Sequence, residues 1–172
     1  MHVIDLHCDL LGCVDHDESR LNFNSSETNC SLPQLREGRV SLQVFALAAI
    51  TIPGSSERGM RQVDLYKKML ENIQLSSTFS TNSTQLHGLF AIENASTLIE
   101  EEEPLELAFE RFIAYEKVER ILYLSLTWNH ENRFGGGNNT GIGLKPDGLE
   151  MLRFLAERGV VIDLSHTRDR LG

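Results

Sequence analysis

Short apolar stretches alternate along the chain with amphipathic stretches of helical period. The apolar stretches carry hydrophobic residues at both odd and even positions, which is typical of parallel strands that are buried on both faces. We predict five such strands, at residues 2–7 (HVIDLH), 41–49 (SLQVFALAA), 86–93 (LHGLFAIE), 120–128 (RILYLSLTW) and 159–166 (GVVIDLSH).

Three helices are predicted between these strands, at residues 58–79, 104–118 and 145–159, because apolar residues recur there at helical spacing. The acidic run 100–103 is interpreted as a solvated helix start. Repeated strand–helix units indicate an α/β architecture, either a doubly wound sheet or a (β/α) barrel. No shift of composition divides residues 1–172 into two domains, so we predict no second domain.

Composition narrows the class of protein. The chain has 172 residues, 41% of them hydrophobic, which is enough for the core of one domain. The longest apolar run, VFALAAI, is too short to cross a bilayer, and no signal peptide is expected. A net charge of −9 argues against nucleic acid as a partner. Three cysteines without a C-x-x-C pair favour a cytoplasmic location.

The candidate chemistry lies where the predicted strands end. His7 and Asp9 end the first strand, Glu93 ends the third, and His166 ends the fifth. In both α/β architectures the carboxyl ends of the strands gather ligands and catalytic groups. His7 and Asp9 are two residues apart, so they face the same side while Cys8 faces the other. A buried His–Asp hydrogen bond is the alternative interpretation of this pair alone.

Two histidines and two carboxylates from three strands form a ligand set for one or two ions of zinc, manganese or iron. Asp5 and Asp163, on the same strands, either orient the ligating imidazoles or satisfy backbone groups. The glycine-rich segment 135–143 lacks the lysine of a phosphate-binding loop, so we interpret it as a flexible loop over the site. Trp128, Asn129 and His130 end the fourth strand and are candidate substrate-binding residues.

Several of these motifs together resemble the membrane (renal) dipeptidase family of zinc-dependent peptidases, especially its bacterial branch. The matching stretches occur in the family's order: IDLHCDLL, SLPQLREGRVSLQVFAL, FAIENAS, YLSLTWNHEN and GLKPDGLEMLRFLAERGVVIDLSH. The resemblance implies a (β/α)8 barrel of the TIM type with two zinc ions at its carboxyl-terminal mouth. It further implies that His7 and Asp9 bind one zinc, that His166 binds the other, and that Glu93 bridges both.

The implied activity is that of a metallopeptidase that hydrolyses the amide bond of dipeptides, some with a D-residue in second position, using metal-activated water. The animal enzymes carry a substrate-contacting histidine where this chain has Trp128, which bears on substrate preference. A ring-amide hydrolase of related fold is a further alternative, but such enzymes open with His-x-His, whereas this chain has Asp9 in the second place.

The chain ends at Gly172, directly after the fifth predicted strand, whereas an eight-stranded barrel typically needs about 250 residues. We therefore expect an incomplete barrel of about five βα units, the N-terminal part of a metallo-dipeptidase. The second zinc site would lack a histidine, and the substrate-binding arginine and aspartate would be missing. Open sheet edges predict self-association or a second chain that completes the barrel. The alternative is a catalytically inactive half-barrel remnant that serves as a binding or assembly module.

Overall fold

All strand pairs of the sheet are parallel, and each long strand is followed by a helix. The computed structural model describes residues 3–167. Its strands are β1 (Val3–Cys8), β2 (Val40–Ala48), β3 (Gln74–Leu75), β4 (His87–Glu93), β5 (Ile121–Ser125) and β6 (Val161–Ile162). Its helices are α1 (Leu10–His16), α2 (Leu32–Glu37), α3 (Ser55–Met69), α4 (Glu106–Glu116) and α5 (Pro146–Glu157). Residue His2, where the first predicted strand begins, lies outside the described part.

The strand order is β1-β2-β4-β5-β6, so successive long strands are neighbours. The short β3 was not predicted; it pairs with the first residues of β4, beside the point where β5 begins to pair at Phe90. Helices α4 and α5 fall within their predicted stretches, whereas α3 begins at Ser55 and ends at Met69. The prediction of helix over residues 70–79 was wrong, because Gln74 and Leu75 pair with β4 as the strand β3. The predicted α/β class and the incomplete (β/α) barrel are thereby confirmed.

The sheet curls as a barrel wall does. The hydroxyl of Tyr123 on β5 donates a hydrogen bond to the carbonyl oxygen of Leu6 on β1, at 3.0 Å. Strands β2 and β4 lie between them, and four neighbouring strands in a flat sheet would span about 14 Å, beyond the reach of a tyrosine. The two faces therefore differ, with a concave interior and a convex outside covered by helices.

Side chains alternate between these two faces along each strand. On β2 and β4, Phe45, Leu47, Phe90 and Ile92 join the large core under the helices. A small cluster of Val44, Leu89 and Ala91, with Tyr123 packed against it, lies on the concave face. Glu93 continues the concave series at the end of β4, which places its carboxylate at the mouth of the half-barrel.

The first strand is more exposed than its apolar sequence predicts. Val3, Ile4 and Leu6 are 42%, 52% and 56% exposed, whereas Cys8 is buried under the helices. The prediction of burial on both faces was wrong for β1 because, among residues 3–167, β1 is an edge strand and no strand lies opposite its concave face. Val161 on the other edge strand, β6, is 56% exposed for the same reason.

The acidic run has a different role from the predicted one. Helix α4 begins at Glu106, after the run. The carboxylate of Glu100 instead accepts hydrogen bonds from the backbone N–H groups of Gly54 and Ser56 at the start of α3. These N–H groups have no partner within their own helix, so a neighbouring carboxylate stabilises them. Within residues 3–167, no helix is long and apolar enough to cross a membrane.

Candidate metal centre

Four side chains meet at the mouth of the half-barrel. Nε2 of His7 lies 3.4 Å from Oδ1 of Asp9 and 3.8 Å from Oε2 of Glu93. The other carboxylate oxygen of Glu93, Oε1, lies 3.1 Å from Nε2 of His166. Glu93 thus stands between two histidines, with one oxygen directed to each.

The positions of these groups follow from the ends of three strands. His7 lies on β1 and Asp9 is the residue before α1, so the turn between strand and helix holds both side chains together. Glu93 is the last residue of β4 in the middle of the sheet. His166 lies beyond β6 in the turn that follows Ile162, with a positive φ of 63°.

Charge and burial shape the ionisation of the cluster. The hydrogen bond with Asp9 raises the pKa of His7, and the same contact lowers the pKa of Asp9. Burial raises the pKa of Glu93, and the charge of Asp9 adds to the shift, while the two histidines oppose it. Two carboxylates that repel each other in a half-buried site are an arrangement that a cation stabilises.

Tyr123 orients His7, a role that the sequence analysis missed. The Nδ1 atom of His7 lies 2.7 Å from the Tyr123 hydroxyl, which itself donates to the carbonyl oxygen of Leu6. The hydroxyl proton is thus committed to Leu6, so Nδ1–H of His7 is the donor to the tyrosine oxygen. With Nδ1 fixed as the donor to Tyr123, Nε2 is the nitrogen that faces Asp9 and Glu93, and loss of its proton would leave its lone pair for a metal ion on that side.

Asn138, from the glycine-rich segment, lies beside the other histidine. Its amide group is 3.1 Å from Nδ1 of His166. A side-chain amide can donate through nitrogen or, after rotation, accept through oxygen, so it can support the Nδ1–H tautomer that frees Nε2. This segment was predicted to be a flexible loop, but it is closely packed against the backbone that follows β5. A Cβ on Gly137 would lie only 1.9 Å from the carbonyl oxygen of Trp128.

Asn94 fixes the backbone directly after Glu93. It has a positive φ of 78°, which is uncommon for a residue other than glycine. Its buried amide donates to the carbonyl oxygen of Ala49 and to the hydroxyl of Thr51, and accepts from the backbone N–H of Ser96 and from Asn132. This network ties the loops after β2, β4 and β5 into one rigid rim.

Two cavities adjoin the cluster. One lies over the concave face and is lined by His7, Glu93, Tyr123 and His166, together with residues of β6. The other, of about 440 Å³, lies between the cluster and α1. Its lining residues are Asp9, Gly12, Cys13, His16, Ala48, Ala49, Ile50, Arg58, Glu93, Trp128 and His166.

The structure thus places one of the three candidate substrate-binding residues beside the cluster of His7, Asp9, Glu93 and His166. Trp128 lines the second cavity and its ring lies 6.2 Å from that of His166. Asn129 and His130 do not line either cavity, and the carbonyl oxygen of Asn129 accepts a hydrogen bond from Asn139. Arg58 and His16 line the second cavity although no sequence pattern marks them.

Asp5 and Asp163 satisfy backbone groups. A carboxylate oxygen of Asp5 accepts a hydrogen bond from the N–H of His7, and one of Asp163 accepts from the N–H of Ser165. The residues that contact the imidazole rings of the cluster are instead Tyr123, at His7, and Asn138, at His166. Alternation along β5 puts Tyr123 on the concave face, which is the signal that could have identified it.

The donor set fits a divalent metal ion. Two ligands of one zinc ion, each about 2.1 Å from it, are at most about 4.2 Å apart. The separations of His7 from Asp9 and from Glu93 meet this limit, and the ligand atoms of these three residues lie within 4.8 Å of one another. Glu93 and His166 are also close enough to share an ion, but they supply only two ligands for it.

Comparison with known proteins bears on the family and the fold. The family model for membrane dipeptidase (peptidase family M19) matches residues 1–171. No curated protein matches the chain. Among solved structures, an amidohydrolase from Pseudomonas aeruginosa is similar in fold, with a TM-score of 0.67 and 15% sequence identity. The similarity covers 96% of this chain and 46% of that one, so this chain spans about half the length of its structural relative.

Proposed function

This chain belongs to the membrane dipeptidase family, peptidase family M19, and on that premise we propose that it forms the metal-binding N-terminal half of a zinc-dependent dipeptidase. The reaction is hydrolysis of the amide bond of a dipeptide. The observation that carries the proposal is the position of Glu93, whose two carboxylate oxygens face His7 on one side and His166 on the other.

His7, Asp9 and Glu93 would hold one zinc ion, and Glu93 with His166 would hold the second. Bound divalent ions polarise an amide carbonyl and lower the pKa of a water molecule to near neutrality. Nitrogen and oxygen donors suit zinc, and zinc sites in enzymes have three protein ligands and an open position. The first site has this number of ligands, whereas the second has two.

The remaining residues position the ligands and the substrate. Tyr123 keeps the proton of His7 on Nδ1, so Nε2 is free to bind. Asp9 stays ionised because its pKa is lowered by His7. Trp128 and the apolar Ala48, Ala49 and Ile50 form the walls of a cavity large enough for a small peptide.

Completion of the barrel is part of the proposal. Ile4 and Leu6 on β1, and Val161 on β6, expose apolar surface at both edges of the sheet. Further βα units, supplied by a longer polypeptide, a second chain or a second copy, would cover them and add ligands to the second zinc site. The predicted cytoplasmic location stays a prediction.

A direct test combines metal analysis with hydrolysis of a dipeptide such as Ala-D-Ala. The protein is assayed alone and as a longer polypeptide that supplies further βα units. Zinc binding by both, with hydrolysis that depends on zinc in at least the longer form, supports the proposal. Zinc binding without hydrolysis in either form would favour the second candidate, a half-barrel that binds metal and acts as a binding or assembly module. The observation that favours this second candidate is that the second zinc site has only two protein ligands, Glu93 and His166.

A further inference from the structure

We propose that Arg58 is a specificity-determining residue that binds the side-chain carboxylate of an acidic residue in the substrate. The inference rests on the proposed dipeptidase function, because it takes the metal cluster as the place where the peptide is held. It names a substrate class for the cavity: dipeptides that contain aspartate or glutamate.

The cavity extends from the metal cluster along one face of α1. Asp9, Gly12, Cys13 and His16 line it, and their spacing of three, four and seven residues puts them on the same side of the helix. At 1.5 Å per residue, this face is about 10 Å long. The carboxylates of Asp9 and Glu93 thus stand at one end of the cavity.

Arg58 lines the same cavity and forms an ion pair with the buried carboxylate of Asp15. Its Nε donates to Oδ2 of Asp15 at 2.9 Å, and the side chain of Asp15 is fully buried. Nε of Arg61 donates to the other oxygen of Asp15 at 2.7 Å. Two guanidinium groups share one carboxylate, so the cluster keeps one net positive charge.

The Nη groups of Arg58 remain available for a ligand. Within residues 3–167, the structure shows no hydrogen bond from either of them, and the side chain is 23% exposed. A guanidinium with its Nε anchored presents a planar pair of donors, which suits bidentate binding of a carboxylate. Arg61 does not line the cavity and is 49% exposed.

The length of the cavity favours a side-chain carboxylate over the terminal one. Asp15, which holds Arg58, is six residues along α1 from Asp9, a rise of about 9 Å. In a dipeptide the terminal carboxylate is only one residue, about 3.5 Å, beyond the scissile carbonyl. An acidic side chain reaches further, and its methylene groups would pack on the apolar walls formed by Ala49, Ile50 and Trp128.

The test uses a matched pair of ligands and a matched pair of variants. The ligands are analogues of Gly-Glu and Gly-Gln in which a methylene replaces the scissile carbonyl, so neither is hydrolysed and the two differ in one charge. The variants are Arg58→Gln and Arg61→Gln, which each remove one ion pair with Asp15. Isothermal titration calorimetry on the zinc-loaded proteins gives the dissociation constants, and Arg58→Lys shows whether charge alone restores the preference.

We expect the unmodified protein to bind the Glu analogue about tenfold more tightly than the Gln analogue, as a charge-assisted hydrogen bond implies. Arg58→Gln should abolish this preference without weakening the Gln analogue, while Arg61→Gln should retain it. Equal affinity of the unmodified protein for both analogues, or no measurable binding of either, would overturn the proposal, as would an equal loss for both in Arg58→Gln.

Failure of the dipeptidase proposal would look different. Hydrolysis of Gly-Gln with no preference between the analogues would refute the role of Arg58 and leave the dipeptidase function intact. A preference for the Glu analogue that depends on Arg58, with no hydrolysis of any dipeptide, would refute the enzyme and keep the carboxylate site.

Discussion

Oε1 of Glu93 lies 3.1 Å from Nε2 of His166, although the two residues are 73 positions apart and belong to different strand ends. His7 approaches the other oxygen of the same carboxylate from β1, at the opposite edge of the sheet. One half-buried carboxylate on the central strand, that of Glu93, therefore faces histidines from both edges. This convergence is possible because the sheet curls.

Replacing Glu93 with glutamine should abolish binding of the second zinc ion and weaken the first. The substitution keeps the shape of the side chain but removes the negative charge that both sites share and replaces one of the two ligating oxygens with an amide nitrogen. We expect isothermal titration with zinc to show less than one equivalent bound at micromolar concentration. Glu150→Gln, at an exposed pair with Arg153, serves as the control and should bind zinc like the unmodified protein. Unchanged stoichiometry in Glu93→Gln would contradict a bridging role.

Replacing Tyr123 with phenylalanine should lower zinc affinity by about 10- to 100-fold, because the ring of His7 loses the partner that sets its tautomer. The aromatic ring stays, so packing on the concave face is kept. Tyr115→Phe is the control, since it removes the hydroxyl of another tyrosine, which donates to the carbonyl oxygen of Thr97 at 3.5 Å, away from the candidate metal ligands. Equal zinc affinities of the two variants, measured by competition with a chelator, would show that Tyr123 is only a packing residue.

Replacing Asn94 with alanine should destabilise the chain by about 3 kcal/mol, because it leaves buried polar groups unpaired and keeps a side chain at positive φ. Glycine in the same place loses the same hydrogen bonds but adopts this φ without strain. Urea unfolding should therefore rank stability as Asn94, then Gly, then Ala. A glycine variant no more stable than the alanine variant would show that the backbone conformation contributes nothing.

The ion pair between Glu103 and Arg111 should make the free energy of unfolding depend on pH in the acidic range. Arg111 lowers the pKa of Glu103 from 4.5 to about 2. A carboxylate with a lowered pKa stabilises the folded state above its unfolded pKa, and this contribution is lost as the pH falls. The difference in unfolding free energy between the unmodified protein and Glu103→Gln should be constant above pH 4.5 and shrink between pH 4.5 and about 2. A difference independent of pH would exclude the ion pair as its cause.

The sequence alone predicted the strand–helix alternation and the residues at the strand ends, because period and burial are local properties of the chain. It could not predict the exposure of Ile4 and Leu6, which depends on the absence of a strand opposite β1. Nor could it assign Glu100 to the start of α3, since that contact joins segments 44 to 46 residues apart.

Apart from the four candidate ligands, most residues of the site could not be predicted from the sequence. Tyr123 could have been identified from strand alternation, but its contact with His7 requires the curl of the sheet. Arg58 reaches the cavity through a salt bridge with Asp15, which is set by the packing of α3 against α1. Trp128, by contrast, could be predicted to lie near the site, because it closely follows the carboxyl end of β5.

The central claim is that His7, Asp9, Glu93 and His166 form one metal centre. Diffraction from zinc-soaked crystals at the zinc absorption edge tests it most directly. The account predicts an anomalous peak about 2.0–2.2 Å from Nε2 of His7 and from carboxylate oxygens of Asp9 and Glu93. It also predicts a second, weaker peak between Glu93 and His166. Zinc bound only elsewhere in the protein, with these four side chains free of metal, would contradict the account.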